Sequence, residues 1–284
     1  MRRTVEPSSG ARPSFRRGRA VVACLRTICV AAVFAAAADS AVGADEAGLP
    51  AAIDRIRPSI VAIGTSEPTR NPSYQFRGTG FVVGDGTLVA TNSHVVPTAV
   101  DTASREVLSV AVPQPGGDAT VREATVVARD TEHDLALLRL AGAPLPAVRL
   151  GDSSHVREGQ YFAFTGFPLG GAIGLFPTTH HALVSAITPI ALPQPTSRSL
   201  DAALVRRLRT DRFAIFQLDA TAYPGNSGSP VFSVDGGDVI AILNMVFVKG
   251  GKETALTQPS GISYAIPSLY LSRLVDGLKG EPRP

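Results

Sequence analysis

The stretch Pro224-Gly225-Asn226-Ser227-Gly228-Ser229-Pro230, followed by the apolar pair Val231-Phe232, decides how the rest of this 284-residue chain is read. A serine sits between two glycines on a tight turn, and a strand follows. Such a turn presents the Ser227 hydroxyl. It also frees the backbone N–H groups of Gly225 and Ser227 to point the same way. Those are the two ingredients of a nucleophile with an oxyanion site. Gly, Ser, Asn and Pro also make ordinary turns, so the motif alone leaves both readings open.

A serine hydroxyl needs a base, usually histidine, and the base needs an orienting carboxylate. The chain has five histidines: His94, His133, His155, His180 and His181. All precede Ser227. This excludes the α/β-hydrolases, whose histidine follows the serine. Ser229 also breaks a G-x-S-x-G pattern. His94, in Thr91-Asn92-Ser93-His94-Val95-Val96, lies just past an apolar strand, where a loop can hold a ring at a cleft. Asp134, in His133-Asp134-Leu135-Ala136-Leu137-Leu138, stands directly before another strand. Taken singly, His94 reads as well as a structural histidine and Asp134 as a surface carboxylate. His133 is expected to face solvent, and the neighbours His180 and His181 to lie in a loop. There is no H-E-x-x-H and no cysteine cluster, so no metal and no cofactor is inferred.

The first residues read as an export signal. Seven arginines between Arg2 and Arg26 precede an apolar run from Thr27 to Ala38. Val42-Gly43-Ala44 supplies small residues for cleavage before Asp45. The apolar run is short for a membrane span, so no stable membrane insertion is expected once 1–44 is removed. That segment carries seven of the 27 basic residues and two of the 24 acidic ones, which leaves 20 against 22. The excess of positive charge therefore belongs to the signal and gives no warrant for nucleic-acid binding. Both cysteines, Cys24 and Cys29, leave with it. The remainder has to hold together without disulfides, by its core alone.

The rest of the chain reads as many short β-branched strands. Examples are Ile60–Ile63, Gly80–Val83, Leu88–Ala90, Val107–Val112, Ala124–Ala128, Leu135–Leu140, Tyr161–Thr165, Val231–Val234 and Val239–Leu243. Gly, Pro, Asp and Asn punctuate them about every ten residues, the rhythm of a barrel or sandwich. Helical spacing is confined to Ala51–Arg57, Ser199–Arg209 and the Ser-capped stretch Ser268–Leu278. Pro189–Ser199 reads as a surface loop, and Pro144–Val148 as the seam between two β halves.

In this order the segments around His94, Asp134 and Ser227 resemble the three catalytic segments of trypsin-like serine proteases, most closely the bacterial HtrA/Deg branch. Leu150-Gly151-Asp152-Ser153, Gly166-Phe167-Pro168-Leu169-Gly170, Leu218-Asp219-Ala220-Thr221 and Ser263–Ser268 agree in order and spacing. The resemblance covers about residues 50–275. It implies an all-β fold of two six-stranded antiparallel barrels, about 50–143 and 148–267, within a protease domain over 45–275. A short C-terminal helix and tail would occupy 268–284. It implies an exported, periplasmic or secreted, serine endopeptidase acting on protein or peptide substrates through an acyl-enzyme. His94, Asp134 and Ser227 would be catalytic, and the Gly225-Asn226-Ser227 segment would form the oxyanion hole. Thr221, at the pocket base, with Asn244 and Met245 on the strand that pairs with substrate, would bind it. Thr221 implies a neutral pocket for small or medium apolar P1 residues.

Several residues depart from family patterns. Digestive relatives place Asp where this chain has Asn226, so activation through an ion pair with a new N-terminus is not expected. Ser229 stands where both branches carry glycine. HtrA-like proteins usually continue into PDZ domains, and none is expected in the residues after the helix. The competing expectations are a non-catalytic, chaperone-like binding protein on the same fold and an esterase.

Overall fold

The computed structural model describes residues 44–114, 116–170, 174–190, 213–244 and 261–279. Residues 1–43 of the expected export signal, the expected helix Ser199–Arg209, most of the expected loop Pro189–Ser199, and Met245 lie outside the described residues.

Twelve strands close into two barrels. The first contains β1 (Ile60–Ser66), β2 (Tyr74–Val83), β3 (Leu88–Asn92), β4 (Val107–Pro113), β5 (Ala119–Asp130) and β6 (Leu135–Leu140). The second contains β7 (Tyr161–Gly166), β8 (Thr178–Ile190), β9 (Phe213–Asp219), β10 (Pro230–Phe232), β11 (Val239–Asn244) and β12 (Ile262–Pro267). All ladders within the barrels are antiparallel. Both barrels share one circular order: the first strand pairs with the second and fourth, the third with the second and sixth, and the fifth with the fourth and sixth. Helix α1 (Ala44–Ile56) precedes the first barrel and α2 (Ser268–Lys279) follows the second. The two-barrel expectation holds.

The apolar strands are continuous rather than alternating because both of their faces are buried. In β6, Ala136, Leu138 and Leu140 fill the first barrel with Val61, Ile63, Val82 and Val89. Leu135 and Leu137 point the other way, into a cluster shared between the barrels with Phe81, Phe167, Phe232, Val239 and Ile242. Ala52 and Ile56 of α1 and Leu271 and Val275 of α2 close that cluster. The second barrel has its own filling of Phe162, Phe164, Val184, Leu218, Val231 and Leu243. Each such side chain contributes about 1.5–3 kcal/mol when fully buried. The shared cluster therefore docks one barrel on the other by apolar contact. The segment joining them is stitched to both sides. Val148 N–H donates to Val82 O, and Val239 N–H donates to Arg149 O, each at 2.9 Å.

Two expectations about histidines are corrected. His180 and His181 lie on β8, paired with Phe164 and Ala163 of β7. The His180 ring stacks on Phe164, with centroids 5.0 Å apart. Burial lowers its pKa below the usual imidazole value. His133 does not simply face solvent. Its ring stacks on Tyr270 at 4.1 Å and meets the edge of Phe213 at 4.6 Å, while Nδ1 lies 2.7 Å from Asp130 Oδ2.

Candidate active site

The β3–β6 ladder ends with Asn92 opposite Leu135. It therefore delivers His94, two residues beyond Asn92, beside Asp134, one residue before Leu135. His94 lies on the 3-10 turn Ser93–Val95 that leaves β3. Ser93 N–H and Asn92 Nδ2 both donate to the Asp134 carbonyl, at 3.0 and 3.2 Å. Those bonds hold Asp134 at φ 52°, a left-handed conformation that non-glycine residues seldom adopt. The carboxylate then points back at the turn. Its Oδ1 accepts from the His94 backbone N–H at 2.9 Å, and its Oδ2 lies 2.6 Å from His94 Nδ1. A carboxylate only accepts, so the imidazole proton belongs on Nδ1, and Nε2 is left as a free base.

A third donor comes from the other barrel. Asn244 Nδ2, at the end of β11, donates to Asp134 Oδ2 at 2.8 Å. Asn244, expected to bind substrate, thus spends its side-chain amide on the carboxylate. It is fully buried. The partner lies 110 residues away in sequence, and a lone Asn ending an apolar strand carries no sign of it.

The serine loop is organised by its carbonyls. Leu169 N–H donates to Pro224 O at 2.8 Å, and Ser229 N–H to Asn226 O at 3.0 Å. Across a planar trans peptide, C=O and N–H point opposite ways. Pinning these two carbonyls therefore turns the N–H groups of Gly225 and Ser227 to the other side of the loop. Neither makes a hydrogen bond among the described residues. Asn226 N–H, by contrast, donates to Tyr223 O at 3.0 Å. Of the three residues expected at the oxyanion hole, only Gly225 and Ser227 keep a free backbone N–H among the described residues. The two glycines are sterically required. Gly225 has φ +104°, and a Cβ there would lie 2.3 Å from Phe167 O. Gly228 has φ +87°, and a Cβ there would lie 2.1 Å from Thr79 O. Ser227 itself keeps 7% of its surface exposed.

Ser229 is accommodated by a missing side chain opposite it. A Cβ on Gly166 would come within 2.0 Å of Ser229 Oγ. The hydroxyl thus fills the space that Gly166 leaves. It has no hydrogen-bond partner among the described residues, nor do Nδ2 and Oδ1 of the neighbouring Asn226. A buried, unpaired hydroxyl costs free energy. Ser229→Ala is therefore expected to preserve activity and to raise Tm by about 2 °C, as about 1 kcal/mol does for a domain of this size. A lower Tm in thermal unfolding would show that the hydroxyl is held by a bond.

Gly78-Thr79-Gly80 on β2 was not singled out in the sequence, although paired glycines inside a strand mark a close backbone approach. A Cβ on Gly78 would lie 3.1 Å from Ser227 O and 2.8 Å from the Val95 side chain. The residue after His94 and the residue expected to be the nucleophile thus converge on Gly78. Thr221 is half-buried just past β9.

The sequence profile of the trypsin-like peptidase domain matches residues 78–242, more than half of the chain. The chain belongs to the trypsin-like peptidase family. Within that domain lie Thr79, His94, Asp134, Gly166, Thr221 and the whole serine loop. Curated relatives of this trypsin-like domain include a probable periplasmic serine endoprotease, DegP-like, of Marinomonas sp. (strain MWYL1). It is 30% identical over 219 residues, covering 77% of this chain and 39% of the relative. A protein of the same description from Chlamydia pneumoniae is 31% identical over 202 residues, 71% of this chain and 34% of its own. The chain spans less than two fifths of the length of these relatives. Among solved structures, Deg5 superposes with TM-score 0.58 at 25% identity, covering 83% of this chain and 95% of its own. The active form of the Rv3671c protease from M. tuberculosis gives TM-score 0.59 at 21% identity, covering 82% of this chain and 86% of its own. The latter likeness is one of fold.

Proposed function

We propose that this trypsin-like peptidase is an exported serine endopeptidase in which Ser227, His94 and Asp134 form the catalytic triad. The observation that carries the reading is the carboxylate of Asp134. It receives the backbone N–H and Nδ1 of His94, and Asn244 from the second barrel, in one cluster. That arrangement orders the imidazole and leaves Nε2 to take a proton. In the proposed reaction Ser227 Oγ attacks the substrate carbonyl as Nε2 accepts its proton. The tetrahedral oxyanion is held by the N–H groups of Gly225 and Ser227. Nε2 then protonates the leaving amine, and water reverses the sequence on the acyl-enzyme. Asp134 holds the ring and stabilises the imidazolium. Apolar P1 residues of small or medium size suit the uncharged Thr221. The periplasm fits both the expected signal and the periplasmic description of the relatives.

A fluorophosphonate probe tests this reading. The full-length protein is expected to carry a single adduct, mapped by peptide mass spectrometry to Ser227. Labelling should abolish cleavage of unfolded casein. Absence of an adduct, or one elsewhere, would sink the proposal and favour the chaperone-like alternative. An adduct without casein cleavage would favour the esterase. Casein fragments ending mainly in Arg or Lys would refute the neutral pocket.

A further inference from the structure

The two residues of the serine loop with free N–H groups also have their carbonyls held, and a single residue of the first barrel holds both. Thr79, fully buried on β2, donates its backbone N–H to Ser227 O at 2.9 Å. Its Oγ1 donates to Gly225 O at 2.7 Å. The same oxygen accepts the backbone N–H of Phe167 at 3.1 Å. A threonine hydroxyl has one proton and two lone pairs. With Phe167 N–H occupying a lone pair, the proton is directed to Gly225 O, and the two bonds polarise one another. The Thr79 carbonyl is fixed in turn by Thr91 Oγ1 at 2.7 Å and abuts Gly228.

Gly225 is the loop residue for which this matters most. Without a Cβ, at φ +104°, it has, like Gly228, the wide backbone freedom of glycine. Two bonds at opposite ends hold the peptide that joins it to Asn226: Asn226 N–H to Tyr223 O, and Thr79 Oγ1 to Gly225 O. The first lies within the loop and moves with it. The second ties the loop to the other barrel.

We propose that the Thr79 hydroxyl is a positioning residue for catalysis: it anchors the Gly225–Asn226 peptide so that Gly225 N–H stays aimed at the developing oxyanion. The proposal rests on reading Gly225 and Ser227 as the oxyanion donors. Valine has the shape of threonine without the hydroxyl. At position 79 it would leave Gly225 O and the buried Phe167 N–H without this partner and the peptide free to rotate.

The test compares Thr79→Val and Thr79→Ser in the full-length protein. The readouts are steady-state hydrolysis of fluorescein-labelled casein and the rate of fluorophosphonate labelling, whose phosphonyl oxygen takes the oxyanion position. Thr79→Val is expected to lower kcat and the labelling rate together by about 10- to 100-fold, with KM changed less than about twofold. That is a smaller loss than the 100- to 1000-fold typical of deleting a donor outright. Thr79→Ser, which restores the hydroxyl, is expected to stay within about threefold of the parent on the same scale. A purely structural role would instead lower Tm and active fraction in both variants while leaving kcat per labelled site unchanged. Parental kcat in Thr79→Val, or an equal loss in Thr79→Ser, would overturn the proposal. Thr79→Ala carries the same comparison if the valine variant does not fold. A parent protein that the probe never labels at Ser227 would instead overturn the underlying catalytic reading.

Discussion

Ser227→Ala is expected to lower kcat for casein by about a million-fold, the scale of losing a triad serine, with the folded state intact. The size of the loss follows from what the hydroxyl alone supplies. His94 Nε2 can deprotonate only a group placed beside it, and no cysteine remains beyond Cys29 to serve as a substitute nucleophile. What survives is the contribution of the oxyanion donors and substrate binding, about 1000- to 10,000-fold over the uncatalysed reaction. The fold should be indifferent because the loop is held by backbone bonds that alanine retains: Thr79 N–H to Ser227 O, Gly228 N–H to Leu243 O and Ser229 N–H to Asn226 O. Unfolding stability is expected to stay within about 0.5 kcal/mol of the parent. Steady-state kinetics beside thermal unfolding checks both halves. Residual activity above about a thousandth of the parent's, on the same scale, would remove Ser227 from the nucleophile's role.

Asp134→Asn is expected to cost about 10,000-fold in kcat, the loss associated with the wrong imidazole tautomer. The carboxylate accepts three hydrogen bonds, from His94 N–H, His94 Nδ1 and Asn244 Nδ2. An amide has one acceptor oxygen and one donor nitrogen. If its oxygen stays on the His94 backbone N–H, its NH2 faces both His94 Nδ1 and Asn244 Nδ2. The imidazole escapes the clash by moving its proton to Nε2, which then cannot act as a base. Flipping the amide transfers the clash to the backbone N–H. Casein kinetics and the fluorophosphonate labelling rate should fall together. A loss of less than about tenfold would show that Asp134 does not govern the tautomer, whose effect is about a thousand times larger.

The first barrel was the more legible half. β1, β3 and β6 are apolar on both faces, so short β-branched runs announced them. The second barrel hid three strands, β8, β9 and β12. In β8, buried Ala182 and Val184 alternate with exposed His181 and Ser185, and the register shifts between Val184 and Ala186. That bulge and the adjacent histidines break the period on which a strand is read. In β9, Gln217 and Asp219 dilute the face that carries Phe213 and Ile215, opposite the apolar face of Phe216 and Leu218. The candidate site was legible wherever chemistry and chain order coincide, as with His94, Asp134 and Ser227. The contact of Asn244 with Asp134 and the place of Thr79 stayed hidden because both are tertiary. Each residue reaches across from one barrel to a loop of the other, and nothing local distinguishes them from a strand-ending amide or an ordinary β-branched residue. Ser229 shows the same limit. Its tolerance depends on Gly166, 63 positions earlier.

The aromatic setting of His133 carries a consequence for the order in which the chain is made. His133 immediately precedes Asp134, and its ring is stacked on Tyr270 of α2 and edged by Phe213 of β9. A ribosome delivers His94, Asp134 and Ser227 before Tyr270 emerges. The neighbourhood of the carboxylate is therefore completed only when α2 docks. A nascent chain carries every group proposed for hydrolysis, yet lacks the ring that steadies the turn bearing one of them until α2 has been synthesised.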